Sequence, residues 1–135
     1  MLDSQANSSD TTYYRERTMT EATSHERFRG SLAIPSENDR RDVTVVIDRS
    51  DASVTLKFDE PVAGSAEWHG ENVLMMDRPR YQEIQFATTD LPVETVELTW
   101  KMNQSKLDNT IAGVVVARPN TVRVRGEKGF ILTRV

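Results

Sequence analysis

Residues 110–135 read TIAGVVVARPNTVRVRGEKGFILTRV, and this stretch decides the fold class. Two turn signals, Pro119-Asn120 and Glu127-Lys128-Gly129, divide it into three apolar runs, which predicts three consecutive antiparallel strands. In the first run Ile111, Val115 and Ala117 share one face and Ala112, Val114 and Val116 the other. That is the pattern of a strand covered on both sides or set in a crowded part of a sheet. Gly113 in its middle marks a bulge, a bend or the close approach of another backbone. In the second run Val122 and Val124 alternate with Arg123 and Arg125, so half of that strand faces water. A two-residue loop would then set these arginines against Phe130 and Leu132. A three-residue loop over 127–129, with Gly129 in the left-handed region, sets Val124 opposite Leu132 and Gly126 opposite Phe130. Apolar against apolar selects the second register, with Phe130 and Leu132 inward and Ile131, Thr133 and Val135 outward.

Period-two alternation continues through the rest of the chain. Phe28, Gly30, Leu32 and Ile34 share a face, as do Val43, Val45 and Ile47, then Val54, Leu56 and Phe58. The last two sets flank the short polar connection 49–52 and predict a hairpin. Pro61 and Gly64 break the pattern, after which 65–69 and 72–77 flank Gly70-Glu71 as a second short hairpin. Val73, Leu74, Met75 and Met76 form a continuous apolar run, read as a strand covered on both faces. Ile84 and Phe86 align in 81–87, and Val96, Leu98, Trp100 and Met102 give the cleanest inward series, with Glu97, Thr99 and Lys101 outward. The sum is an all-β chain of eight to ten short strands. Its loops are too short for parallel crossovers, so the strands form an antiparallel meander. Closure removes exposed edges, which favours a closed or nearly closed barrel over a two-sheet sandwich.

The rhythm of short antiparallel strands, with an arginine near the end of the last one, Arg134, resembles the calycins, the lipocalin and fatty-acid-binding group. Where that family places a tryptophan two residues after the first-strand glycine, Gly30-Ser31-Leu32 carries leucine. The resemblance implies a barrel architecture, and architecture does not license a function.

The β domain spans 25–135. Residues 1–24 hold almost no large aliphatic side chain after Leu2, too little apolar area to offset the entropy of ordering, and are read as a disordered tail. Met19 within it is an alternative start of translation. The chain is 37% apolar and 28% charged, with no cysteine, so neither a disulfide framework nor an oxidising compartment is implied. The opening MLDSQANSSD lacks a basic start followed by an apolar run, and no stretch approaches the roughly twenty apolar residues that span a bilayer. The expected location is the cytoplasm.

Charge is unevenly spread. Residues 35–100 carry fourteen acidic and six basic side chains, a balance of −8, whereas 101–135 carry seven basic and two acidic, a balance of +5. Arg118, Arg123, Arg125 and Lys128 are therefore candidates for an anionic partner, nucleic acid being the weaker option because Phe130 is the one aromatic nearby for base stacking. Alternation alone already explains Arg123 and Arg125 as solvent-facing strand residues. For a small apolar ligand inside a barrel the candidates are Trp68, His69, Met75, Arg80 and Tyr81: an amphipathic indole, a soft thioether, and cationic or hydroxyl groups that orient a polar end. Glu67, His69 and Glu71 alternate and can line one strand face.

No His or Cys cluster has metal-ligand spacing, no glycine-rich loop precedes a helix, and no G-x-S-x-G elbow occurs, so no catalytic residue and no cofactor are assigned. The expectation that follows is a non-catalytic binding or assembly module with a protein partner, and as the alternative a small apolar-ligand carrier.

Overall fold

The computed structural model describes residues 25–35, 39–90, 97–118 and 127–135. Nine strands carry the described chain: β1 (His25–Ala33), β2 (Arg40–Asp48), β3 (Ser53–Val62), β4 (Ser65–His69), β5 (Glu71–Asp77), β6 (Tyr81–Thr88), β7 (Glu97–Ser105), β8 (Thr110–Arg118) and β9 (Glu127–Arg134). Every ladder is antiparallel, and the order across the sheet is β4-β3-β2-β1-β9-β8-β7-β6-β5. The first and last strands pair in the middle of that order, and its two ends, β4 and β5, are joined through the single residue Gly70. One passage of chain thus begins on one edge of the sheet and ends on the other, which makes the sheet a nearly closed barrel.

This corrects the hairpin read at Gly70-Glu71. β4 pairs with β3 (Leu56↔Trp68) and β5 with β6 (Met75↔Ile84), so the chain continues across the gap and does not fold back. Gly70 permits it by lying flat on Phe86: a Cβ there would stand 2.9 Å from that ring. The true hairpin precedes it, where Ala63 (φ 54) and Gly64 (φ 84) form a two-residue turn between β3 and β4. β3 runs through Pro61 to Val62, with an irregular register between Lys57 and Val62 that absorbs the missing amide donor.

The opening stretch also needs correction. β8 pairs directly with β9, Ile111 opposite Leu132, Gly113 opposite Phe130 and Val116 opposite Glu127. Residues 127–129 are therefore strand and not turn, because ladder bonds to β8 hold them extended, and Gly129 is not in the left-handed region. The run 121–126, with Val122, Arg123, Val124 and Arg125, lies outside the described residues. The facing assignment stands: Phe130 and Leu132 are buried and Ile131 is 66% exposed. Gly113 answers to close approach, since a Cβ there would meet the Phe130 ring at 2.5 Å and the Lys101 carbonyl at 2.9 Å. β8 is covered on its inner face, where Ile111, Val115 and Ala117 are buried, but only partly on the other, where Ala112 is exposed and Val114 and Val116 are half-buried. Leu74, at 52% exposed, likewise contradicts the reading of β5 as covered on both faces.

Inside, one buried cluster joins all strands except β5, which contributes the partly buried Val73 and Met75. Trp100 stacks on Phe86 (centroids 5.7 Å apart, planes 5° apart) and meets Phe130 edge-on, and its indole N–H donates to Thr88 Oγ1 at 3.0 Å. On the outer face Arg29 grips Asp59 with two nitrogens (3.1 and 2.9 Å) and donates to Thr44, tying β1, β2 and β3 together.

The β1–β9 seam rests on four residue pairs, Phe28↔Arg134 to Ser31↔Ile131. Gly30 is its tightest point, where a Cβ would lie 2.6 Å from the Ile131 carbonyl oxygen and 2.7 Å from Leu132. Gly30→Ala is expected to cost roughly 1–3 kcal/mol, the usual penalty of overpacking. A denaturant midpoint equal to wild type would contradict that closure.

Candidate functional site

The end of the barrel where β1 begins, β2 hands over to β3, and β9 finishes gathers polar side chains that alternation turns inward. Glu26 continues the Phe28 face of β1, Gln104 continues the Leu98, Trp100, Met102 series of β7, and Arg134 continues the Phe130, Leu132 series of β9. Arg49 joins them from the β2–β3 turn. That turn is fixed by Asp48, whose Oδ1 accepts from Ser50 N at 3.0 Å, Ser50 Oγ at 2.7 Å and Asp51 N at 3.3 Å.

Neighbouring turns are clamped to the same end. Ser105 Oγ accepts from Leu107 N and Asp108 N, and Asp108 Oδ1 accepts from Thr110 N and Oγ1, which shapes the β7–β8 turn. Lys106 N donates to the Arg80 carbonyl at 3.0 Å, and its Nζ pairs with Asp77 at 2.6 Å, docking the β5–β6 turn beside it. Arg134 N donates to the Asn109 carbonyl at 2.8 Å and Val135 N to the Arg27 carbonyl at 3.0 Å, pinning the end of β9.

The resulting constellation is a half-buried network. Arg49 Nε and Nη2 meet the Glu26 carboxylate at 3.3 and 3.1 Å, Gln104 Nε2 donates to Glu26 Oε1 at 2.8 Å, and Arg49 Nη2 donates to Gln104 Oε1. Arg134 approaches Glu26 at 3.8 Å and lies 4.8 Å over the centre of the Phe28 ring. Arg49 Nη1 is buried and, among the described residues, has no acceptor. Arg49, Gln104, Lys106, Asn109 and Arg134, with Gln82 and the Asp77 and Asp108 carboxylates, border an open cleft of about 410 Å³.

Burial alone would raise the Glu26 carboxyl. The hydrogen bonds from Arg49 and Gln104 and the charges of Arg49 and Arg134 outweigh it and hold the group below the usual carboxylate range. A carboxyl depressed by folding stabilises the fold above its unfolded value, and that contribution is lost as pH falls through the folded value. Stability should therefore decline below about pH 4, where carboxylates begin to protonate. Glu26→Gln should cost about 1 kcal/mol at pH 7, water screening reducing the pair's worth, and should make the acid limb shallower. Urea titrations from pH 3 to 7 measure both effects.

The residues singled out by sequence scatter. Trp68 is fully buried, edge-on to Phe58 at 4.9 Å, whereas His69 points outward by alternation. Met75 packs against the same core from β5, Tyr81 is half-buried at the start of β6, and Arg80 is exposed in the turn before it. Trp68 and Met75 thus share the interior, and His69 and Arg80 do not. Arg118 is exposed opposite Glu97, Lys128 is half-buried opposite Val115, and Arg123 and Arg125 lie outside the described residues. In the acidic trio Glu67 pairs with His69 at 3.3 Å, while Glu71 accepts from Thr89 Oγ1. Glu26, Arg49 and Gln104 escape a search that follows apolar residues alone, because they lie beyond the apolar runs. Extending the alternation by one position in β1 and β7 would have found two of them.

Among the described residues no group of three His, Asp or Glu side chains is placed to hold a metal ion, and no helix is long and apolar enough to cross a membrane. Compared with family models, with curated proteins and with solved structures, the chain gives no match.

Proposed function

We propose that the protein is a binding module whose ligand site is the polar cleft at the Glu26–Arg49–Gln104–Arg134 end of the barrel. One observation carries this reading: four chain segments converge polar side chains on an open cleft, and an arginine bordering it keeps a buried nitrogen that has no acceptor among the described residues. Buried donors are normally paired, so such a group marks a place built for something further. The packed interior supplies the rigid frame on which a site holds its geometry. The test is a series of 1H–15N NMR spectra during titration with sugars, amino acids, short carboxylates and nucleosides. Shifts gathered at Arg49, Gln104 and Arg134 support the cleft, and shifts confined to other surfaces refute it.

A second reading, the carrier of an apolar ligand, draws on Trp68. Its Nε1 is buried and, among the described residues, lacks an acceptor, which suits a ligand that presents one inside the barrel. Native mass spectrometry of protein from its own source would reveal a retained adduct; a mass equal to the bare chain counts against it.

A further inference from the structure

We infer that the paired guanidinium groups of Arg49 and Arg134 form a site for a small, singly charged carboxylate. The inference rests on the cleft being the binding site and names what enters it. Arg134 is the accessible half. Its guanidinium carbon lies 4.8 Å over the centre of the Phe28 ring, and among the described residues its side chain has one ion pair, the long 3.8 Å approach to Glu26. A cation–π contact supplies no oxygen acceptor, so the guanidinium donors that meet no carboxylate stay open to a ligand. Arg49 is the deeper half. It spends Nε and Nη2 on Glu26 and Gln104, and its buried Nη1 has no acceptor among the described residues. Five N–H donors exceed what these two acceptors take up.

The charge balance selects one negative charge. Lys106 is paired with Asp77 at 2.6 Å and Asp108 Oδ1 is taken up by Thr110 in its own turn, so the inner group, Arg49 and Arg134 against Glu26, keeps a local surplus of one positive charge inside a cleft that is neutral as a whole. A phosphate dianion would overcompensate it and would face Asp77 and Asp108 at the border of the cleft. The planar fork also suits a carboxylate, as Glu26 demonstrates by accepting from Arg49 through both oxygens. Glu26 acts as the resident counterion, and an arriving carboxylate competes with it for the same donors.

The experiment uses the full chain at constant ionic strength set with chloride, following the arginine side-chain Nε–Hε signals by NMR. Acetate, its neutral isostere acetamide, and inorganic phosphate are the probes. Acetate is expected to shift Arg134 and Arg49 saturably, with acetamide at least about tenfold weaker, the usual return on a charge-assisted bond, and phosphate weaker than acetate. Arg134→Gln should weaken acetate by about tenfold, and Glu26→Gln should tighten it several-fold by removing the competitor. Equal affinity for acetate and acetamide, or tighter binding of phosphate, overturns the carboxylate assignment while leaving the cleft as a binding site. Should no small molecule of any class shift the cleft signals, the cleft itself is wrong and this inference falls with it.

Discussion

Trp100→Ala is expected to lower the free energy of unfolding by roughly 3–5 kcal/mol, the range for truncating a large buried aromatic. Trp100 is wholly buried, stacks on Phe86, meets Phe130 edge-on, and donates its only N–H to Thr88. Truncation removes all of these contacts, and the surrounding strands, held by ladders on both sides, cannot collapse to refill the space. A finer comparison separates packing from hydrogen bonding. Trp100→Phe leaves Thr88 without its donor inside the barrel, whereas Trp68→Phe removes an N–H that bonds to no described residue. The first should therefore cost about 1 kcal/mol more than the second. Guanidinium titrations of the three variants measure the ordering, and a Trp68→Phe change at least as harmful as Trp100→Phe would contradict it.

The second large effect belongs to Leu132. This side chain is fully buried, faces Ile111 across β8 and Gly30 across β1, and so sits at the seam where the barrel closes. Leu132→Ala should cost roughly 2–5 kcal/mol. Its neighbour Ile131 is exposed, and Ile131→Ala should stay within about half a kcal/mol. Because strand period is two, a one-residue slip exchanges the two outcomes, so the reverse ordering would show that the register is wrong.

These two residues also show how far the fold was legible. Alternation alone places Leu132 and Phe130 inward, and the series with Leu98 and Met102 places Trp100 there; all are buried. Alternation is a local property, set by the pleat, and survives any error in pairing. Pairing is not local. Glu127-Lys128-Gly129 has the composition of a turn, yet it is held extended by bonds to β8, and composition carries no record of that partner. Gly70 failed for a similar reason: a glycine between two short strands marks a tight turn or a close packing contact, and only the position of Phe86 distinguishes them.

The candidate site was less legible still. Its members lie 23 residues apart between Glu26 and Arg49 and 78 apart between Glu26 and Gln104, and what unites them is barrel closure. Each taken alone reads as an ordinary polar residue at a strand end. Arg134 alone drew notice, as the arginine near the end of the last strand, and its stacking on Phe28 gives that position a physical role. Trp68, by contrast, stands out by its chemistry, and the structure adds a buried N–H with no acceptor among the described residues.

In the proposed carboxylate site Glu26 is the resident counterion, held by the same arginine donors that an arriving carboxylate would take. The direct measurement is the titration of the Glu26 carboxyl by carbon-13 NMR, in the free protein and in saturating acetate. The free carboxyl should titrate below the usual carboxylate range, held there by Arg49 and Gln104 against the opposing effect of burial. Acetate should raise that midpoint, since binding and protonation are linked through the same arginine donors and the coupling is reciprocal. A midpoint in the ordinary range that acetate leaves unmoved would contradict a carboxylate site at Glu26.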